Sequence, residues 1–399
     1  MSTNAKDSET DVRSESFEHK DSSKQADSRY AGWLKQQKKT TLPKMFRPMM
    51  HATSNGVIVI CTLNEKLAFY NFNSRNNKMQ EIANFSLAEY FHVGGEFLHY
   101  QSFLINSRYI YLIKNSFPSD EEHIFFFDLQ NKKLFSIKND ETRPETFRMN
   151  YTVNVHDLKF YFFGGMNFNL KALNSLEIYN FETYKWEQVS TKGKAPEPRH
   201  SHSSFIIGGN LYILGGSKSP DFFSKEGNLE DFFMLNLNNL TWTPIKTSGT
   251  PPKCLSYNYT FQISQQHIIF VSSDRSKEVC ETNVTKFDVN HCEWQEMELV
   301  SATSEFRFGA GHCFDEENMV CLIFGGMYLS KTESQSLTNE IDRIKISDQR
   351  EDFKGIDILT SDRQSEASIK SREEPKSAER ENSTIECIQY GGVNHLNYF

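Results

Sequence analysis

Cysteine is sparse in this 399-residue chain. Its seven residues, Cys61, Cys254, Cys280, Cys292, Cys313, Cys321 and Cys387, are an odd set with no C-x-x-C pair. That spacing fits neither a disulfide framework nor paired zinc ligands, so free thiols in a reducing compartment are expected. Long apolar runs are missing as well; no stretch of 18 or more exists, which excludes a transmembrane helix. The segment Met1–Lys20 is charged and has no apolar centre, so no secretory signal is expected and the reading is cytoplasmic. Positive charge is not in excess either. With 44 Lys+Arg against 52 Asp+Glu the formal net charge is −8, which argues against a nucleic-acid partner. The signatures of phosphate, dinucleotide and hydrolase sites are absent: no P-loop, no G-x-S-x-G, and Gly309-Ala-Gly311 lacks the third glycine of a dinucleotide loop.

What the chain does have is aromatic surface. Hydrophobic residues are only 38% and the mean hydropathy is −0.58, yet there are 33 Phe and 16 Tyr. A uniformly disordered chain lacks aromatics, so polar segments must dilute a folded centre. Residues 1–44 are one such segment, rich in Ser, Asp, Glu and Lys, with Trp33 as its only large anchor. Residues 361–386 are a second. Both are expected to be disordered tails, because neither can bury enough apolar surface to offset chain entropy. Six N-x-[ST] sequons, among them Asn239-Leu-Thr241, read as chance in an Asn-rich chain that does not enter the secretory route.

Between the tails, over residues 45–360, the sequence repeats. Phe160-Tyr-Phe-Phe-Gly-Gly165, Leu211-Tyr-Ile-Leu-Gly-Gly216 and Cys321-Leu-Ile-Phe-Gly-Gly326 are three copies of an apolar run closed by a glycine pair. Val57–Thr62, Tyr109–Lys114 and Ile268–Ser273 are copies without the pair. Neighbouring copies are roughly 50 to 57 residues apart, the range of propeller blades. A second element follows each, as in Tyr179-Asn-Phe181…Trp186, Leu235-Asn-Leu237…Trp242, Phe287-Asp-Val289…Trp294 and Phe127-Asp-Leu129…Leu134. Three of the four Trp residues therefore share one repeat position. Each unit reads as four short strands with tight turns such as Gly208-Gly-Asn210 between them. A blade cannot bury both of its faces alone and needs neighbours.

In its diglycine, its spaced aromatic and Trp, and Pro196-x-Pro-Arg199-His200 ahead of a blade, the chain resembles the kelch-repeat β-propellers. The resemblance implies an all-β fold, a single kelch-type β-propeller of six four-stranded blades, whose loops on one face bind protein partners. The repeat positions Gly164, Gly165, Gly215, Gly216, Gly325, Gly326, Trp186, Trp242 and Trp294 are expected to be structural. For the closing piece, residues 387–399, three outcomes stay open: it completes the ring, begins a partial seventh unit, or is a docking tail.

The arginines ahead of the first strands recur with the repeat. Arg148 and Arg199 each stand 16 residues before a diglycine, and Arg307 stands 18 before Gly325. They could form a basic ring suited to a carboxylate-bearing peptide. The alternative, favoured because a residue repeated in every good unit usually serves the unit, is that each ties down its own loop. Two residues further on, Asn150 and Ser201 are better candidates for ligand contact. Phe222 and Phe223, in the insert Ser217–Asp231, offer a further partner contact on a loop. His200/His202, His291-Cys292 and His312-Cys313 lack convergent metal spacing and read as strand and turn residues, so no metal or other cofactor is expected. A copper radical oxidase on a kelch-like propeller would need a Tyr–Cys cross-link and a larger secreted scaffold. No BTB or F-box segment is recognisable.

The reading is a non-enzymatic interaction scaffold or adaptor presenting loops to a protein or peptide partner, without membrane insertion. The alternative is a propeller enzyme that binds a sugar or small metabolite in the central channel.

Overall fold

A computed structural model describes residues 28–34, 44–45, 47–73, 78–87, 100–114, 122–138, 148–167, 169–220, 226–252, 254–274, 281–301, 303–328 and 336–354. The alternation of buried and exposed residues along short, turn-bounded segments produces strands throughout, with one 3-10 turn at Arg350–Phe353. Six of the sheets are the blades of a six-bladed propeller, and a further two-stranded ribbon pairs Met327-Tyr328 with Ser336-Leu337.

Blade one comprises Met49–Thr53, Gly56–Leu63, Lys66–Asn73 and Lys78–Ser86. Blade two comprises Tyr100–Ile105, Tyr109–Lys114, Glu122–Asp128 and Lys133–Lys138. Blade three runs through Thr152–His156, Lys159–Phe163, Leu176–Asn180 and Lys185–Gln188. Blade four has Ser203–Ile207, Asn210–Leu214, Phe232–Asn236 and Thr241–Pro244, and blade five Tyr259–Gln262, His267–Asp274, Glu281–Asp288 and Glu293–Glu296. All pairs among these strands are antiparallel, and Lys192-Gly193 and Ser248-Gly249 add short parallel pairs at the outer edges of blades four and five.

Blade six contains Gly311–Asp315, Val320–Phe324 and Ile341–Ser347, and its outer strand comes from the other end of the chain. Tyr30–Trp33 pairs antiparallel with Ile344–Ser347 on one side and parallel with Glu298-Leu299 on the other. This corrects the expected boundary: a polar tail over 1–44 does not include residues 28–34, which belong to the ring. The register explains why. Trp186 pairs with Tyr179, Trp242 with Leu235, Trp294 with Phe287, and Trp33 with Ile344, the matching position on its third strand. All four Trp residues thus occupy one place in the repeat. Residues 387–399 lie outside the described residues, and the strand that completes blade six is Tyr30–Trp33.

Six apolar clusters, one at each seam between blades, make the core. The cluster joining blades six and one contains Leu322, Phe324 and Ile341 with Val57, Val59 and Phe72. Arg47 N–H donates to Gly309 O at 2.6 Å and Gly326 N–H to Met45 O at 2.8 Å across the same seam. These contacts leave no place for a seventh blade.

The diglycine earns its position through packing. Gly164 has φ +65°, and a Cβ there would lie 2.7 Å from Arg199 O in the next blade. Gly216 has φ +95°, and its Cβ would meet His200 O at 2.7 Å in its own blade. One glycine admits the neighbouring loop and the other the blade's own inner strand, so neither tolerates a side chain.

Candidate functional site: one end of the ring

The loops that enter the inner strands come together at one end of the propeller. Their repeated arginines point inward. Arg148, Arg199 and Arg307 are 3%, 0% and 1% exposed. Each donates to a backbone carbonyl of its own blade: Arg148 Nη1 to Gly164 O at 3.2 Å, Arg199 Nη1 to Gly215 O at 2.9 Å, and Arg307 Nη2 to Ile323 O at 3.1 Å. Each also pairs with a carboxylate at the third strand, Glu177, Asp231 and Asp342 respectively. Burial lowers the Arg148 guanidinium, with Glu177 opposing it. At Arg307 burial acts in the same direction, but Asp342, Tyr328, Tyr259 and Glu340 together outweigh it and hold the group above its ordinary value. The idea of a solvent-facing basic ring is therefore corrected, because these guanidinia are spent on orphan carbonyls inside the blade.

The residue two positions on behaves differently. Asn150 and Ser201 have φ of 54° and 53°, a left-handed backbone, and Ser201 Oγ lies 3.0 Å from His200 Nδ1. Both are half-buried, while Met149, Tyr151, His200 and His202 on either side are buried. Backbone hydrogen bonds link these positions around the ring: Ser201 N–H donates to Asn150 O at 2.8 Å, and Tyr257 N–H to Ser201 O at 2.9 Å. Tyr257 (φ 61°), Gly309 (φ 63°) and Arg47 (φ 53°) are the matching residues of blades five, six and one, and all are half-buried.

Sequence reasoning missed Arg47 and Tyr257 because the anchoring arginine is Met45 in blade one and Leu255 in blade five. Their equivalence shows in the hydrogen bonds. Gly165 N–H donates to Arg199 O, Gly216 N–H to Leu255 O and Gly326 N–H to Met45 O, each at 2.8 Å. Arg47 also reaches from blade one to blade three, where its Nη2 donates to Asn150 Oδ1 at 3.1 Å. Burial lowers its guanidinium to about 10, with Tyr257 opposing that shift, so it stays charged at pH 7.

Behind this rim the inner strands are joined by polar side chains. His51 Nε2 is 2.7 Å from Ser102 Oγ, Thr152 Oγ1 is 2.7 Å from His202 Nε2, and Asn154 Nδ2 donates to Ser204 Oγ at 2.6 Å. Burial pushes the imidazoles of His51 and His312 down to about 4 and that of His202 well below its ordinary value, so all three are neutral at pH 7. His200 is satisfied by Ser219 O at 2.8 Å, and His291 bonds Asp288 in a hairpin turn that also holds Cys292. Among the described residues no group of three or more His, Cys, Asp and Glu could hold a metal ion, and no helix is long and apolar enough to cross a membrane. Phe222 and Phe223 lie outside the described residues.

A ring of six blades with a diglycine, a repeated Trp and a buried loop arginine defines the kelch class of propeller. Residues 109–326 match the family described as the KLHDC2/KLHL20/DRC7 Kelch-repeats domain, and the chain belongs to the kelch-repeat family. It is 35% identical over 132 residues to the Rho GTPase-activating protein gacHH of Dictyostelium discoideum, covering 33% of this chain and 9% of that one. It is 30% identical over 120 residues to Kelch domain-containing protein 3 of Bos taurus, covering 30% of each. The chain thus spans less than a third of the length of these curated relatives. A solved structure titled "Structure of YjhT" shares the fold, with a TM-score of 0.51 and 13% identity over 75% of this chain and 99% of that one. The kelch-repeat propeller is a common protein-interaction fold, which supports a scaffold role in general.

Proposed function

We propose that the protein is a non-enzymatic adaptor that presents the rim formed by Arg47, Asn150, Ser201 and Tyr257 to a protein or peptide partner. One observation carries this reading. The backbone at this repeat position is fixed, with φ between 53° and 61° in four blades, while the side chain is Arg, Asn, Ser or Tyr. The buried anchor keeps one residue type, Arg148, Arg199 and Arg307, in blades three, four and six, and where it changes it becomes the buried apolar Met45 or Leu255. A position with a constant backbone, solvent access and changing chemistry is suited to display. The blades hold it rigid, so little ordering entropy is lost on binding. A guanidinium and a phenol at the rim are residue types that anchor interfaces. Five described cysteines are free thiols, in keeping with a cytoplasmic setting.

Affinity capture tests the proposal. A double variant, Asn150→Gly with Ser201→Gly, removes two displayed side chains and leaves the left-handed backbone unstrained. The expected result is unchanged thermal unfolding and a loss of at least ten-fold in recovery of a stoichiometric partner. Equal recovery from both proteins would refute the assignment of this rim.

A further inference from the structure

Blade two departs from its neighbours at one register position. On the outer strand, the residue after the Trp position is Glu187 in blade three, Thr243 in blade four and Gln295 in blade five. In blade two it is Phe135, one after Leu134. Phe135 pairs with Phe126, which pairs with Tyr111, so aromatic rings occupy one row across three strands. The rings of Phe126 and Phe135 stack with centroids 4.8 Å apart, and Phe126 lies 5.9 Å from Tyr109 and 5.7 Å from Tyr111.

The row is not covered at its outer end. Phe135 is 41% exposed, and Tyr184, on the hairpin turn of blade three, is 54% exposed. Leu158 is exposed on the adjacent turn, where its carbonyl accepts from Phe181 N–H at 2.9 Å. Phe181 in turn lies 4.7 Å from Tyr111, which places both turns at the seam with blade two. Single exposed apolar residues are ordinary on a protein surface, whereas a contiguous aromatic patch is a contact surface. The blade needs nothing from Phe135, since three sister blades place a polar residue there.

The geometry points to residues 387–399 of this same chain as the occupant of this patch. That segment carries Ile388, Tyr390, Val393, Leu396, Tyr398 and Phe399 among its 13 residues and has no Lys, Arg, Asp or Glu. The surround of the patch is mixed in charge, with exposed Lys132, Lys133 and Lys185 against exposed Asp157 and Glu182, so apolarity is what matches the segment to it. The last described residue, Lys354, follows the turn that packs on blade six. Residues 355–386 can span roughly 100 Å when extended, at about 3.3 Å per residue. A ring of this size has a radius of gyration of about 20 Å, so the segment reaches blades two and three from blade six. A tether of that kind gives an effective concentration approaching the millimolar range, enough to fill a patch of modest intrinsic affinity.

Photo-cross-linking of the full chain tests this. With p-benzoylphenylalanine in place of Tyr398, irradiation of dilute purified protein should give cross-links within one chain, mapping to Tyr109–Tyr111, Phe126–Phe135 and Tyr184. Phe135→Gln, which installs the blade-five residue, should cut their yield at least five-fold without changing thermal unfolding. Cross-links elsewhere on the ring, cross-links only between chains, or a yield indifferent to Phe135→Gln would each overturn the assignment.

Discussion

Replacing Trp33 by alanine is expected to destabilise the propeller by about 3–5 kcal/mol, the cost of truncating a large buried aromatic. For a domain of this size that corresponds to a fall in Tm of roughly 10 °C. The effect is large because Trp33 serves two functions in the ring. Its indole is 1% exposed in the cluster between blades five and six, and its Nε1–H donates to Ser304 Oγ at 3.0 Å. Its backbone N–H donates to Ser301 Oγ at 2.7 Å, and the strand it ends is the outer strand of blade six. Ser304 Oγ also donates to Asp342 Oδ2 at 2.7 Å, so the indole is coupled to the carboxylate that pairs with Arg307. Trp33→Phe retains an aromatic ring but loses the Nε1–H bond, and should cost about 1–2 kcal/mol. Chemical denaturation of both variants checks this. A loss below about 1 kcal/mol for Trp33→Ala would mean that residues 28–34 do not close the ring.

Arg199→Ala is expected to cost about 3 kcal/mol, toward the low end for breaking a buried ion pair. The guanidinium is fully buried and donates to Glu197 O at 2.9 Å, Gly215 O at 2.9 Å and Asp231 Oδ2 at 3.0 Å. Its removal strands two carbonyls and leaves a cavity beside Phe233, whose ring centroid is 5.7 Å from the guanidinium carbon. The Asp231 side chain is 36% exposed and can rehydrate, which limits the electrostatic part of the loss. Arg199→Lys should recover only part of the stability, because an ammonium cannot address carbonyls and carboxylate with a planar fork. Lys218→Ala, which removes an exposed and solvent-screened pair with Glu197, should unfold at the wild-type midpoint. Denaturation midpoints order the three variants. If Arg199→Ala unfolded at the wild-type midpoint yet failed to capture partner, the guanidinium would be a ligand group and its structural assignment would fall.

Much of the ring was legible in the sequence, and the limits of that legibility have a physical cause. Periodicity and diglycine report on contacts within a blade, which are local in sequence. Blades three and four, with Gly164-Gly165 and Gly215-Gly216, were therefore readable from end to end. The outer strand of blade six was not, because Tyr30–Trp33 pairs with residues more than 300 positions away and no local pattern encodes such a partner. The signal available was the fourth Trp, standing alone in a polar segment, preceded by Gly32 where its sister strands carry Lys185, Thr241 and Glu293. Ring closure by this strand also settles the blade count, since the seam between blades six and one is filled.

At the rim the position of Asn150 and Ser201 followed from counting two residues past an arginine. Where the arginine is replaced, by Met45 and Leu255, the count has no starting point, and Arg47 and Tyr257 became visible only through backbone hydrogen bonds. Phe135 is the converse case. Its repeat position could be counted from Leu134, but whether a neighbouring blade covers it is a matter of packing that no spacing within blade two describes.

Hydrogen–deuterium exchange of the full chain with and without its captured partner tests most directly where that partner sits. Binding at the displayed rim predicts slower exchange in the loops around Arg47, Asn150, Ser201 and Tyr257, with the outer strands unchanged. Protection confined to the outer strands or to the turns bearing Leu158 and Tyr184, with the rim loops exchanging as in the free protein, would contradict the account.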